Sequence, residues 1–264
     1  MHALVTVLLA VVLALAAAPP ASLIDAQSKD RDDSDMAERE EIRQSYNLAP
    51  GARVEISTIS GSVDIETTSG QMAEVHIIRM GKTRKDFDCY KMNIEHSPGS
   101  LVIRHQQGRE DICGTIQARQ RVMLKLPRNV ELKLNAISGP VTVGEIDGTV
   151  RLSGISGIVE VAQALGYSDI SGISGVLSMN ITRLSQRGVS ISGISGRVVI
   201  RAASSLNADL SVSGINGNIN NNAPNVSLTK TGHSQYSGRV GSGGAPISVS
   251  GISGSVVFQQ SSAR

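Results

Sequence analysis

Among side chains that could act in catalysis, serine recurs most regularly in this sequence, within the pentapeptide Ser-Gly-Ile-Ser-Gly. The pentapeptide begins at Ser153, Ser171, Ser192 and Ser250, and a variant with Asn in fourth place begins at Ser213. A serine nucleophile needs an adjacent base and an oxyanion site. The motif is not the Gly-x-Ser-x-Gly elbow, and it recurs too often to mark one active site. We therefore interpret it as a structural turn.

Carboxylates could cleave glycosidic bonds if two of them converged in one cleft. The acids of the second half do not recur at one position of the repeat; they are Glu145, Asp147, Glu160, Asp169 and Asp209. The chain also has no Trp and four Tyr, so the aromatic platforms typical of sugar clefts are scarce. The sequence predicts a protein that is not an enzyme. The alternative hypothesis is a carbohydrate-active β-helix lyase or hydrolase.

Histidine spacing gives no indication of a metal centre. The histidines beyond the N-terminal region match no zinc-ligand pattern; they are His76, His96, His105 and His233. No metal and no cofactor are therefore expected. His233 falls at a position where the repeats otherwise carry apolar, inward residues.

Basic residues are spread along the chain, and the formal net charge is only +2. This balance argues against a nucleic-acid partner. Arg197 and Arg239 occupy the same position of the repeat, two units apart. If the units stack, the two side chains would lie about 10 Å apart. They form a candidate strip for an anionic glycan or a lipid head group.

The N-terminal segment predicts export. An apolar run from Ala3 to Ala18 is short for a membrane span and is followed by Pro19 and Pro20. We predict a signal peptide over residues 1–26, an exported protein that is periplasmic, secreted or at the cell surface, and no stable membrane span after cleavage. An uncleaved anchor is the alternative. Residues 27–45 predict a charged polar leader, flexible or forming a short surface helix.

The two cysteines, Cys89 and Cys113, form an even pair. In an exported protein such a pair predicts a disulfide. The bridge would close a loop of about 25 residues and stabilise the fold by roughly 3 kcal/mol on the chain-entropy model. Two buried free thiols are the alternative.

Residues 46–136 show apolar residues at every second position in several segments. This period is typical of β-strands with one buried face. No segment shows a convincing helical period. We therefore predict a nearly all-β chain, in which 46–136 is the strand-rich N-terminal region of the same domain.

Residues 137–264 form an array of repeats of 16–21 residues. The Ile of Ile-Ser-Gly, or Ile-Asn-Gly, falls at positions 137, 155, 173, 194, 215 and 252. The last interval is too long for one unit, and Tyr236-Ser237-Gly238 resembles a degenerate copy that restores the period. We predict turns at the motif glycines, which are Gly139, Gly157, Gly175, Gly196, Gly217, Gly238 and Gly254.

Short strands in units of this length can stack as a β-solenoid, similar to a parallel β-helix, and each unit then advances by about 4.8 Å. Antiparallel hairpins are the alternative, but two-residue Asn-Gly or Asp-Gly turns are few. In a linear solenoid, the final unit at Ser255–Gln260 would leave an unpaired edge. Self-association into an envelope scaffold is therefore a further hypothesis.

Three stretches together resemble the bacterial β-strand-repeat proteins known as putative adhesins, a domain of unknown function. They are NLAPGARVEISTISGSVDI, RVMLKLPRNVELKLNAISGPVTV and the repeated SGISG units. The resemblance covers about residues 46–258. It implies a solenoid-like β domain, exported or associated with the cell envelope, and supplies no catalytic residues. The expected partner is an envelope glycan or another envelope protein.

Overall fold

The computed structural model describes residues 36–107, 113 and 118–261. The predicted signal peptide, 1–26, and the start of the predicted leader lie outside these residues. The prediction of a nearly all-β chain is confirmed, because the described part contains fifteen strands and one short helix. In chain order the elements are β1 Glu38–Asn47, β2 Ala52–Thr68, β3 Met72–Gly81, α1 Arg84–Cys89, β4 Tyr90–Ser97, β5 Ser100–Gln107, β6 Ala118–Pro127, β7 Val130–Ser138, β8 Val141–Ile146, β9 Val150–Ala164, β10 Ser168–Ile181, β11 Val189–Ala202, β12 Ala208–Asn222, β13 Val226–Gly232, β14 Gln235–Val240 and β15 Ala245–Gln260.

Seven strands carry the Ile-Ser-Gly or Ile-Asn-Gly motif, and we call them the repeat strands. They lie side by side and parallel in the order β2, β7, β9, β10, β11, β15, β12. The repeats predicted from the sequence began at residue 137 and did not include β2, although Ile59-Ser60-Gly61 carries the motif. The register aligns the motif isoleucines, all buried: Ile59, Ile137, Ile155, Ile173, Ile194, Ile252 and Ile215.

Each repeat strand is kinked at its motif. The residue before the Ile has φ between 53° and 62°, and the Gly after the Ser or Asn has φ between 137° and 148°. The first of these residues adds one position to the two-residue alternation, much as a β-bulge does. Because of that extra position, the Ile faces the core instead of solvent. We call the part before the kink the first arm and the part after it the second arm.

Close packing explains why glycine follows the Ser or Asn. A Cβ at Gly196 would overlap the carbonyl oxygen of Gly175, and a Cβ at Gly254 would overlap that of Gly196. The same overlap with the neighbouring backbone occurs at Gly139, Gly157, Gly175 and Gly217. These six glycines were all predicted as turn positions.

The N-terminal end of the sheet is built from two separate sets of strands. Beyond β2, its first arm pairs with β5, which pairs with β4. Its second arm pairs with β6, followed by antiparallel β3 and β1. The prediction of a flexible or helical leader over 27–45 was wrong from Glu38 onward, because β1 is an edge strand. Ile42 and Tyr46 pack against the core, and the five charged residues of β1 suit an exposed edge.

The C-terminal end departs from a simple succession of repeats. The last strand, β15, lies between β11 and β12 and pairs in parallel with both. The hairpin of β13 and β14 is antiparallel and pairs with the first arm of β12. The predicted free edge at Ser255–Gln260 is therefore wrong, since this segment is flanked on both sides.

The degenerate repeat around Tyr236-Ser237-Gly238 is also a wrong prediction. Gly238 lies in antiparallel β14, opposite Leu210 and Leu228, and it is not among the glycines with positive φ. His233 is exposed in the hairpin turn instead of facing inward. The segment resembles the repeat motif in sequence because both have the alternation of a β-strand, but β14 runs antiparallel to the repeat strand β12.

Candidate binding surface

The outward positions of the first arms form one continuous face across the sheet. They lie two and four residues before each motif Ile, and the register aligns them from strand to strand. In the N-terminal half, the position four residues before the Ile is charged; its residues are Glu55, Lys133, Arg151 and Asp169. In the C-terminal half, the positions two and four residues before the motif Ile both carry only serine.

We call this C-terminal part the serine face. It comprises two columns on adjacent strands: Ser190, Ser248, Ser211 and Ser237 in one, and Ser192, Ser250 and Ser213 in the other. Strand spacing places neighbours in a column about 4.8 Å apart, and two residues along a strand separate the columns by roughly 6.7 Å. In the described part of the chain, these hydroxyls make no hydrogen bond to another residue. They are available to an external ligand.

The charged half of the same face is largely neutralised from within. Lys133 Nζ lies 3.0 Å from Glu55 Oε1. A shallow depression of about 280 Å³ is lined by Arg53, Glu131, Leu132, Lys133 and Arg151. Because the charged position four residues before the Ile holds two anions, Glu55 and Asp169, and two cations, Lys133 and Arg151, these four charges sum to zero.

A second concavity, which we call the connector groove, lies among the segments that join β10, β11, β12 and β15. Its volume is about 610 Å³, within the range of small-ligand sites. It is lined by Thr182, Arg183, Leu184, Gln186, Ser205, Leu206, Asn207, Gly244, Ala245 and Pro246. The groove arises where the chain from β11 passes over the inserted β15 to reach β12.

Two amides fix the walls of the connector groove. Buried Gln163 accepts a hydrogen bond from the Thr182 N–H at 2.7 Å and donates to the Arg183 carbonyl oxygen at 2.9 Å. On the other wall, Asn207 Oδ1 accepts from the Ser242 N–H at 2.9 Å. The groove is therefore held in shape, with an exposed arginine on its rim.

The predicted arginine strip is not formed. Arg197 lies in the second arm of β11, beside Val176 and Ser255. Arg239 lies in antiparallel β14, with its Nε 3.6 Å from Asp209 Oδ1. The prediction was wrong because it requires Arg197 and Arg239 to lie in parallel repeat strands, whereas β14 is antiparallel to its neighbours.

The acids weighed for glycoside chemistry are dispersed. Glu145 and Asp147 pair with Arg128, and Asp209 pairs with Arg239. Glu160 lies in a second arm and Asp169 in a first arm. Within the described residues, no three His, Cys, Asp or Glu side chains are grouped to hold a metal ion.

A buried polar cluster, which sequence reasoning missed, joins α1 to the sheet. Arg79 ion-pairs with Glu40 and donates to the Phe87 carbonyl oxygen at 2.7 Å. His105 stacks on Tyr90, and burial, together with the charge of Arg79, lowers the pKa of His105 to about 4. The histidine is therefore neutral at neutral pH, as its position near a guanidinium requires.

The predicted disulfide is confirmed beside this cluster. Cys89, the last residue of α1, is bonded to Cys113, and their Cα atoms are 5.7 Å apart. Tyr90 follows directly, and its carbonyl oxygen accepts a hydrogen bond from Arg79. The bridge and the arginine thus anchor the same short stretch.

None of the helical residues that the structure describes belongs to a helix with the length and hydropathy of a membrane span.

Comparison with known proteins gives similarity at the level of solved structures. No protein family and no curated protein matches the chain. A putative cell adhesion protein from Clostridium sporogenes ATCC 15579 is 12% identical with a TM-score of 0.42, covering 85% of this chain and 100% of that one. A putative adhesin from Bacteroides fragilis NCTC 9343 is 9% identical with a TM-score of 0.31, covering 83% and 97%.

A putative adhesin from Parabacteroides merdae ATCC 43184 is 10% identical with a TM-score of 0.29, covering 84% of this chain and 97% of that one. The similarity to putative adhesins that the sequence suggested is thus also found among solved structures.

Proposed function

We propose that this chain is an exported, non-enzymatic binding protein of the bacterial cell envelope, adhesin-like in action, whose serine face binds an envelope glycan. In this proposal residues 1–26 are a cleaved signal peptide, so that the disulfide forms in an oxidising compartment. The proposal assigns no cofactor and no catalytic residue.

We further propose that the repeat strands wind as a β-solenoid. Val150 pairs with Ser168, and Ser168 pairs with Val189, so successive repeat strands are parallel neighbours. Parallel neighbours ordinarily need a crossover of a dozen or more residues, yet only residues 165–167 separate β9 from β10. The kinked arms themselves would then supply most of each turn.

The serine face is the observation that carries the binding proposal. It offers seven hydroxyls in two regular columns with no competing partner among the described residues. Each hydroxyl can donate and accept, as the hydroxyls of a neutral sugar polymer also do. One such hydrogen bond contributes only about 0.5–1.5 kcal/mol, so useful affinity requires several bonds along an extended ligand.

The test is co-sedimentation of the full-length chain with purified peptidoglycan sacculi. The triple variant S190A/S211A/S248A removes three hydroxyls from one column. Three lost hydrogen bonds should weaken binding by at least tenfold, since 1.4 kcal/mol corresponds to a factor of ten. The folded state should be unaffected because these serines are outward.

The matched control is S156A/S174A/S195A, three exposed serines of the motif on adjacent repeat strands. It should bind sacculi as the parent does. Equal loss in both triple variants, or sedimentation that neither variant changes, would contradict a role for the serine face. Absence of any binding to sacculi by the parent would overturn the proposed ligand.

A further inference from the structure

The second arm of β12 forms an outer edge of the sheet. On one side, Gly217–Asn222 pairs with β15. On the other side, β14 covers only the first arm, from Ala208 to Ser213. No described strand pairs with Gly217–Asn222 on that side, so every second residue directs its N–H and C=O groups away from the sheet.

Burial along this edge indicates that it lacks a covering strand. Ile219 aligns with Val256 of β15, and Asn221 aligns with Phe258. Val256 and Phe258 are fully buried, whereas Ile219 is half-buried and Asn221 is exposed. The apolar core therefore tapers here, and the Asn221 side-chain amide donates a hydrogen bond to the Val226 carbonyl oxygen at 2.7 Å.

The chemistry of this edge differs from that of the other outer strands. The opposite edge, β1, carries Glu or Arg at five of its ten positions, and β13 carries Lys230. Charges on an edge oppose pairing with a second chain. The sequence of Gly217–Asn222 is GNINNN, with no charge and no proline. Asparagine amides can also bond each other in ladders between paired strands.

The lack of charge on this edge favours a second copy of the same segment as its occupant. Like charges placed directly opposite each other across a strand pair are destabilising. The uncharged segment Gly217–Asn222 can pair with an identical one without placing like charges together.

We propose that Gly217–Asn222 pairs antiparallel with the same segment of a second copy, so that two sheets join across a twofold axis. The outward side chains Asn218, Asn220 and Asn222 of each copy then face those of the other. The dimer does not depend on the serine face, because that face belongs to the first arms.

The test measures the mass of the full-length chain by analytical ultracentrifugation over a concentration series. The parent should be a dimer. The variants N218K/N220K and N218E/N220E should each be monomers, because like charges would oppose each other across the axis. A mixture of the two variants should restore a dimer containing one copy of each, since opposite charges then meet.

The control is S174K/S195K, which adds the same charge at exposed motif positions of β10 and β11 and should remain dimeric. Circular dichroism of every variant checks that the β structure is retained. A monomeric parent at all concentrations would overturn the proposal. A dimer that persists in both charged variants, or a mixture that remains monomeric, would also overturn it.

Discussion

Each repeat strand has two positions of positive φ, the residue before the motif Ile and the Gly that ends the motif. The two positions impose different demands on the residue that occupies them. The position before the Ile holds Gly in five repeat strands, but Thr58 and Ala136 adopt the same conformation in β2 and β7. The position after the Ser or Asn holds Gly in all seven. The first position has room for a Cβ, whereas the second lies against the neighbouring backbone.

A pair of alanine substitutions in β11 should separate these two effects. G193A places a Cβ 3.6 Å from its nearest neighbour at φ 61°, so it should cost about 1–2 kcal/mol, the cost of the left-handed conformation. G196A forces a Cβ into the Gly175 carbonyl and should cost at least about 4 kcal/mol, in the range of severe core substitutions.

Urea unfolding of the full-length variants measures both costs. G99A, at a position with open space around the added Cβ, serves as the control. Equal losses for G193A and G196A would show that close packing against the neighbouring strand is not what requires glycine.

At the scale of the element, the disulfide fixes α1 against the sheet. The helix has only six residues, too few to be stable alone. It begins with a reciprocal cap, in which the Thr83 N–H donates to Asp86 Oδ2 at 2.8 Å. At its other end are Cys89 and the carbonyl groups bound by Arg79. Covalent and polar anchors therefore substitute for helix length.

The C89A/C113A variant should lose about 3 kcal/mol of unfolding free energy, as expected for a closed loop of this size. Urea unfolding with and without reductant measures the loss. Reductant should bring the parent to the value of the variant and leave the variant unchanged. A parent whose thiols become titratable without any loss of stability would contradict this role.

The elements were predictable where local pattern decides them. The two-residue alternation and the motif isoleucines predicted β strands and six of the kinked glycines. The order of β12 and β15 was not predictable, because all repeat strands present the same motif and any two could pair in register. The reversed β14 was missed for a related reason: Ser237-Gly238-Arg239-Val240 has the alternation of a strand in either direction.

The candidate surface was likewise predictable in its residues but not in their arrangement. Each serine of the serine face was visible in the sequence, but its neighbours depended on strand order. Ser248 faces Ser190 and Ser211 only because β15 lies between β11 and β12. The polar cluster around Arg79 gave no signal in the sequence, since its members come from five separate elements.

At the scale of the whole molecule, β15 joins two parts of the sheet. It pairs with β11 along Val189–Ala202 and with β12 along Ala208–Asn222. In a sheet that follows chain order, loss of the last strand would shorten the array and leave the rest intact. Here the loss removes an internal strand.

A chain ending at Gly244 should therefore fail to hold β12, β13 and β14 in the sheet. Limited proteolysis should cut the truncated protein between 203 and 244, where the parent resists, because the pairing of β12 with its parallel neighbour is gone. A chain lacking only residues 262–264 is the control and should behave as the parent. Persistent protection of 203–244 in the truncated chain would show that β12 does not depend on β15.

The internal position of β15 also constrains the order in which the strands can pair during folding. During synthesis, β11 and β12 emerge well before residue 260. Until β15 has also been made, neither strand can pair with it, although β15 lies between them in the folded protein. Pairing them directly at this stage would be a local trap, because their motifs fit in register and β15 would then be excluded. The native order joins Ile194 to Ile252, which are 58 residues apart, and such distant pairing slows folding. The C-terminal half of the sheet can therefore reach its native order only after β15 has been made.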